Sequence, residues 1–412
     1  MKLLMIATGY LPYTFSENLC NGKLVLALER AGHHVDVISR VDEGPTYGND
    51  WHEPWTKLKD STTLITYPTG NRIQRIADVA YSGLRMGGAV PGVRWARRAY
   101  ETALRMLRNG NYDALLTRSP NDTAHLIGHK LKRRIPGITW IANWNDPADP
   151  IWPEPYTHRY SPAQQRRHME ATRRLLHAAD VNTFPSESLY RHFAAHFPEL
   201  ESMPTRVIPH IGLIDDVYSG IHHANPASKR LTLLHSGNLS QERNPENTFK
   251  AMRALIDAGE NGFEMHIMGH VNDFTNELIE KYGLADHVRC IGSFDYFGAL
   301  KRMHDYDVLV LLEAMLDNGI FFASKFTDYA QTGRPILAIS PAKGFAADMI
   351  SANGGGILAD NTSPESIADA LGRLIALKRE NRLSTLGSNT IYEHFSPATV
   401  VDLYTQLIST SN

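Results

Sequence analysis

The chain has 412 residues, 42% hydrophobic and 21% charged, with a formal net charge of −2. That length exceeds one ordinary core, so two globular domains are expected. No run approaches the roughly 18 apolar residues that a membrane-spanning helix needs, and two cysteines in no metal spacing (Cys20 and Cys290) fit a reducing compartment.

The opening "MKLLMIATGYLPYTF" has the lysine and apolar run of a signal peptide. It breaks at Gly9 and Pro12 and lacks a small-residue cleavage site, so it reads as a first buried strand with a cytosolic start. Residues 21–32 have helical spacing ending on Gly32, and 33–40 alternate as a strand, completing one β-α-β unit. Residues 43–75, rich in Trp, Pro and Gly, read as a long loop. Strands are expected at 112–118, 137–144 and 206–212, separated by helical stretches. The series restarts with strands at 230–237, 263–269, 288–292, 307–313 and 334–340, and a helix over 244–259. Such alternation predicts α/β architecture: two doubly wound parallel sheets, 1–210 and 211–390, joined through the linker-like 222–229. Ligands of such sheets sit beyond the carboxyl ends of the strands, so a cleft between facing domains is the expected site.

The small net charge conceals an asymmetry. Residues 1–210 hold 26 Lys and Arg against 20 Asp and Glu, whereas the remainder holds 16 against 24. The first half therefore favours an anionic partner. The span Arg72–Arg108 contributes eight arginines against Asp78 and Glu101, a composition suited to peripheral contact with an anionic membrane or to a solvated helical face. Tyr81, Trp95 and Tyr100 fall among these cations, but not in the interleaved pattern of a strand-binding surface, so no nucleic-acid partner is expected.

The stretch "GIFFASKFTDYAQTGRPILAIS" (319–340) places Lys325 at the start of a helix, where a cation is disfavoured, with Asp328 one turn on. Gly333 stops the helix and Pro335 opens the next strand. On the residues alone, Ser324 as helix cap and Asp328 as favourable acid is an equally simple reading.

In order and spacing, these segments resemble the retaining GT4-like glycosyltransferases of the GT-B fold along nearly the whole chain. The similarity is carried by "MKLLMIATGYLP" with "GHHVDVIS", by "LLHSGNLSQERNPENTFKAM", by "MGHVNDFTNELIEKYGLADHVRCIGSF", by "ASKFTDYAQTGRPIL" and by the terminal "IYEHFSPATVVDLYTQLI". The resemblance implies a GT-B fold, with two Rossmann-like domains facing a central cleft and a final helix, about 391–412, that packs back on the first domain. It implies a hexosyltransferase-type enzyme moving a sugar from a UDP- or GDP-linked donor to a glycan or lipid-linked acceptor in bacterial surface polysaccharide biosynthesis. It further implies a cytoplasmic location, peripheral on the inner membrane face, and neither metal nor other cofactor.

By the same resemblance, Arg243 and Lys325 hold the diphosphate and Asp328 the ribose, while Gly9, Ser16, Gly237, Asn238, Arg289, Ile291 and Ser324 line the donor. Asn145 and Asp146, in "ANWNDPADPIWPEP", face the acceptor, and Asp146, Arg243 and Lys325 are the catalytic candidates. Asp146 turning the chain before Pro147 is the plainer alternative. The chain departs from the family where its first donor glutamate would be: Ile320 stands there, which leaves sugar recognition to backbone groups of 320–324. Asn238 replaces a phosphate-binding arginine, and Phe15 and Ser16 replace a glycine pair. Those losses keep two other readings open, a nucleotide-sugar 2-epimerase and a degenerate, non-catalytic binding protein. "DYD" (305–307) is read as a strand start and not as a metal signature. His210 is placed at the domain boundary, and the pairs His33-His34 and His222-His223 are read as surface or packing residues.

Overall fold

Two series of short aliphatic strands form two parallel sheets in a computed structural model that describes residues 1–42, 51–67, 71–86, 93–119, 122–157, 160–221 and 228–411. Most of the linker-like stretch, with His222-His223, lies outside the described residues, as do 43–50 and 68–70 of the expected loop. The chain divides into two compact units, Met1–Ile214 with Pro397–Asn412, and Asp215–Ser396.

The first unit runs β1 (Lys2–Ala7), α1 (Ser16–Arg30), β2 (His34–Asp42), β3 (Thr62–Tyr67), α2 (Arg72–Met86), α3 (Val93–Asn109), β4 (Ala114–Arg118), α4 (Thr123–Arg134), β5 (Thr139–Asn143), α5 (Pro162–Ala178), β6 (Val181–Phe184), α6 (Glu187–His196) and β7 (Thr205–Val207). Its strands lie in the order β3-β2-β1-β4-β5-β6-β7, and every pairing is parallel. A parallel sheet is covered on both faces, which is why β4 and β5 are buried at every position. Close approach is needed where α4 crosses β5: a Cβ on Gly128 would lie 2.5 Å from the Trp140 ring. That indole donates to Thr117 Oγ1 at 2.8 Å.

The second unit runs α7 (Asp215–Tyr218), β8 (Leu231–Ser236), α8 (Glu246–Asp257), β9 (Phe263–Met268), α9 (Asp273–Lys281), β10 (Val288–Gly292), α10 (Tyr296–Met303), β11 (Val308–Leu312), α11 (Lys325–Gln331), β12 (Ile336–Ser340), α12 (Phe345–Asn353), β13 (Gly356–Asp360), α13 (Pro364–Arg379) and α14 (Asn389–Glu393). The order is β10-β9-β8-β11-β12-β13, again parallel throughout. Leu233, Val308, Val310 and Leu337 pack with Phe249 of α8 and Leu371 of α13 in one core. A final helix, α15 (Pro397–Ser411), belongs to the first unit, where it packs on α1 and Thr405 Oγ1 lies 3.2 Å from His33 Nε2.

Three local features differ from the sequence reading. The expected loop 43–75 contains β3, whose "TTLITY" pairs with β2 at the sheet edge; β-branched residues favour that extended backbone. The helix expected from residue 21 begins at Ser16. Its first turns bury Asn18 and Asn21, which donate to the carbonyls of Tyr10 (2.6 Å) and Gly9 (2.7 Å), so no apolar period marks them. The short strands β6 and β13 also carry too few aliphatic residues to stand out.

Candidate functional site

Each unit places polar side chains at the carboxyl ends of its central strands. In the second unit, Gly237 follows β8 with φ +123°. A Cβ there would collide with the ammonium of Lys325, so only glycine leaves the lysine its place. Lys325 opens α11, a helix of seven residues. Burial, then Arg243, lowers its pKa from 10.5 to about 7, while Glu313 pulls the other way. Glu313, buried just beyond β11, is pushed by burial up to about 7, with Arg243 and Lys325 holding it down. His235, fully buried on β8, has its pKa driven well down, first by burial and then by Lys325. Two cations, a carboxyl and an imidazole thus share one electrostatic neighbourhood.

Asp328, one turn along α11, is buried and accepts a hydrogen bond from Tyr296 Oη at 2.9 Å. Its charge raises the pKa of Tyr218, second to burial. Asn238 is exposed, and its Oδ1 accepts from the His270 N–H at 2.9 Å. Its carboxamide oxygen therefore holds the loop after β9. Ser324 has helical backbone angles and makes no capping side-chain bond, so the simple cap reading does not hold. Arg289 and Ile291 stand on β10, the edge strand two places from β8, with a register shift between Cys290 and Gly292. Ile320 is buried, and its N–H already donates to the Asn318 carbonyl at 2.9 Å. It offers a ligand neither side-chain nor backbone donor.

In the first unit, Arg118 ends β4, and Asn145 and Asp146 follow β5. Asn145 Nδ2 donates to Glu17 Oε1 at 2.6 Å, its N–H donates to Ser119 Oγ at 2.8 Å, and its Oδ1 accepts from Arg118 Nη2 at 3.4 Å. Arg118 Nη1 donates to Tyr404 Oη of α15 at 2.9 Å. Burial raises the Glu17 pKa from 4.5 to about 8, with Arg118 pulling it down and Asp146 pushing it up. Asp146 therefore sits beside a second carboxyl. Gly9 contributes its carbonyl to Asn21 Nδ2 at 2.7 Å, and Ser16 is the exposed first residue of α1.

Sequence reasoning missed Glu17, Arg118 and Tyr404 here, and Glu313, His235 and Tyr296 in the second unit. A charged residue closing an aliphatic strand, as in "ALLTR" and "VLVLLE", is the signal that points to Arg118 and Glu313. Nothing local distinguishes Glu17 from an ordinary first-turn acid. Of the remaining residues, His210 is buried. Asp307 accepts from Lys378 Nζ at 2.7 Å and from the Thr232 N–H at 2.9 Å, a structural engagement. Among the described residues, no group of three His, Cys, Asp or Glu side chains is arranged to hold a metal ion.

Residues 20–210 match the glycosyl transferase 4-like domain, and residues 221–390 match glycosyl transferases group 1. The chain belongs to the GT4-like glycosyltransferases of the GT-B fold. No curated protein matches the sequence. Among solved structures, this glycosyltransferase is similar to sucrose-phosphate synthase from Thermosynechococcus elongatus, at 16% identity and a TM-score of 0.69, with 100% of each chain covered. It is similar to HepE of Anabaena in complex with UDP and glucose, at 14% identity and a TM-score of 0.69, again with 100% of each chain covered. The alpha,alpha-trehalose 6-phosphate synthase of Burkholderia multivorans matches at 12% identity and a TM-score of 0.64, covering 100% of this chain and 99% of that one. At these identities the likeness is one of fold.

Proposed function

We propose that this glycosyltransferase binds a nucleotide-diphosphate sugar on its second unit and transfers the sugar, with retention, to a glycan or lipid-linked acceptor in bacterial surface polysaccharide biosynthesis. The observation that carries the reading is the seating of the Lys325 ammonium against Gly237, in the field of Arg243. Burial and Arg243 both oppose the lysine's charge, and a diphosphate between the two cations reverses that opposition. In the transfer, the bond from the anomeric carbon to the diphosphate oxygen breaks as the acceptor oxygen bonds the same face. The acceptor's proton passes to the diphosphate. Charge grows on the leaving group, where Arg243 and Lys325 stabilise it, so no metal is required. Asp328 accepts from the ribose hydroxyls beside Tyr296, since an acceptor-only carboxylate suits a vicinal diol. Arg289 and Ile291 border the base. UDP is the favoured nucleotide, on the strength of the HepE complex. Asp146 and Asn145 serve the acceptor.

The acceptor's lipid or membrane side is assigned to α2. Ile73 and Ile76 are 78% and 63% exposed there, one turn apart and flanked by Arg72 and Arg75, a pattern suited to an anionic lipid surface.

The test is a melting-temperature screen against UDP-, GDP-, ADP- and dTDP-glucose in EDTA, with Arg243→Ala and Asp328→Ala beside wild type. One nucleotide sugar should stabilise wild type by linkage, and both variants should lose the shift. No shift from any of the four would remove the donor assignment. A shift with nucleotide release but no transferred sugar would move the reading to the epimerase class.

A further inference from the structure

The first unit gathers buried polar atoms that its own fold leaves unused. At the carboxyl ends of β1, β4 and β5, Thr8 Oγ1, Asn21 Oδ1, Arg118 Nε and Asn143 Oδ1 are buried and have no hydrogen-bond partner among the described residues. Asn21 is 0% exposed and Arg118 4%, so neither reaches bulk water. Native interiors pair the large majority of such groups, and a cluster of exceptions calls for a partner such as water, an ion or a ligand.

Glu17 stands in this cluster. Its Oε1 accepts from Asn145 Nδ2 at 2.6 Å and from Asn21 Nδ2 at 3.1 Å. No described residue donates to Oε2. Asn145 cannot turn its amide around: Arg118 Nη2 donates to its Oδ1, so its NH₂ must face the carboxyl. The side chain is thus locked through one oxygen and open through the other.

We propose that Glu17 is the positioning residue for the acceptor, with Oε2 hydrogen-bonded to a sugar hydroxyl that neighbours the reacting one. The proposal rests on the transferase reading above. The neighbouring hydroxyl is specified because a donor placed on the reacting oxygen would withdraw the lone pair it needs. Glu17 therefore takes no part in the proton balance and keeps its proton throughout. The ionisable groups that face it are Arg118 on β4, Asp146 after β5 and Tyr404 on α15. With the carboxyl pushed up to about 8 by burial, it is protonated at neutral pH. Oε1 receives two N–H donors, so the proton lies on Oε2 and is offered outward. Above about pH 8 that donor is lost, and a second negative charge appears beside Asp146.

The experiment uses the full chain. The side-chain carboxyl of Glu17 is titrated by ¹³C NMR, its signal assigned by absence in Glu17→Gln. Nucleotide release from UDP-, GDP-, ADP- and dTDP-glucose is then followed from pH 6 to 10, with n-octyl β-D-glucoside as acceptor. Glu17→Ala should raise the acceptor KM at least ~10-fold and leave the donor KM unchanged. Glu17→Gln, a permanently neutral donor of the same shape, should recover most of that loss. The acceptor KM should rise above about pH 8 in wild type and stay flat in Glu17→Gln. A carboxyl midpoint below about pH 5.5, or a wild-type acceptor KM in Glu17→Ala, overturns the proposal. Failure of the transferase reading looks different: wild type then neither shifts its melting temperature with nucleotide nor releases any, whatever the Glu17 carboxyl titrates at.

Discussion

The polar clusters of the two units follow strands of similar parallel topology, yet they are built from different charges. In the first unit a carboxyl is pushed up to about 8, while in the second a lysine is drawn down to about 7 beside a carboxyl raised to about 7. Burial is the leading cause in all three, because a low-dielectric environment disfavours whichever form carries charge. The sign of each neighbourhood then follows from what else is present. Arg243 opposes the lysine's charge, and Asp146 opposes that of Glu17. The contrast teaches that a doubly wound sheet supplies only the location for ligand chemistry. The residues on its terminal loops decide whether that location suits an anion or a hydroxyl.

The largest expected effect separates the two clusters outright. Combining Arg243→Ala with Lys325→Ala removes the two charge-assisted contacts proposed for the diphosphate, each about 1.5–3 kcal/mol, or roughly 10- to 100-fold in affinity. Calorimetric titration with UDP should lose most of its signal in that double variant and keep it in Glu17→Gln. Equal weakening by both would break the division of labour. Next in size, Gly237→Ala forces a side chain onto the Lys325 ammonium at a backbone angle that costs about 1–3 kcal/mol. Urea denaturation should show that loss, and UDP binding should weaken with it.

The pH dependence of stability sharpens the comparison further. Glu17 binds its proton more tightly folded than unfolded, so its stabilising contribution is complete below its unfolded pKa of 4.5 and is lost as pH rises through about 8. Lys325 has the opposite sign. Its contribution is present above its unfolded pKa of 10.5 and is lost as pH falls through about 7. Relative to wild type, Glu17→Gln should therefore gain stability as pH rises from about 4.5 to 8, whereas Lys325→Met should gain it as pH falls from about 10.5 to 7. Denaturation midpoints across pH would read both, and slopes of the same sign would refute the assignment. The smallest effect is expected at α2. Ile73→Asp with Ile76→Asp should reduce co-sedimentation with phosphatidylglycerol vesicles a few-fold, as the loss of two exposed apolar contacts implies, without altering UDP binding.

Much of the second unit's cluster could be read in advance, because its residues lie in compact motifs. "HSGNLSQER" carries β8 into its loop, and "ASKFTDYAQTGRP" spans α11 and the turn into β12; each brings a glycine turn together with a cation or an acid in one short stretch. The first unit's cluster could not be read this way. Glu17, Arg118, Asn145 and Tyr404 are far apart in the chain and meet only when α1, β4, β5 and α15 pack. Asn238, which stands where the resemblance places a phosphate-binding arginine, holds a neighbouring loop through its oxygen.

Sequence by itself determined the two-sheet α/β architecture, because aliphatic runs alternating with helical periods can be buried in few other ways. It also marked Gly237 as the turn after a strand and Lys325 and Asp328 as the first turn of a helix, since local motifs carry their own geometry. Tertiary structure alone decided that Glu17 meets Asn145, that Glu313 lies in the field of Lys325, and that Arg118 meets Tyr404 on the returning α15. Those are long-range encounters, and the proton affinities they set depend on burial, which no local pattern of residues encodes.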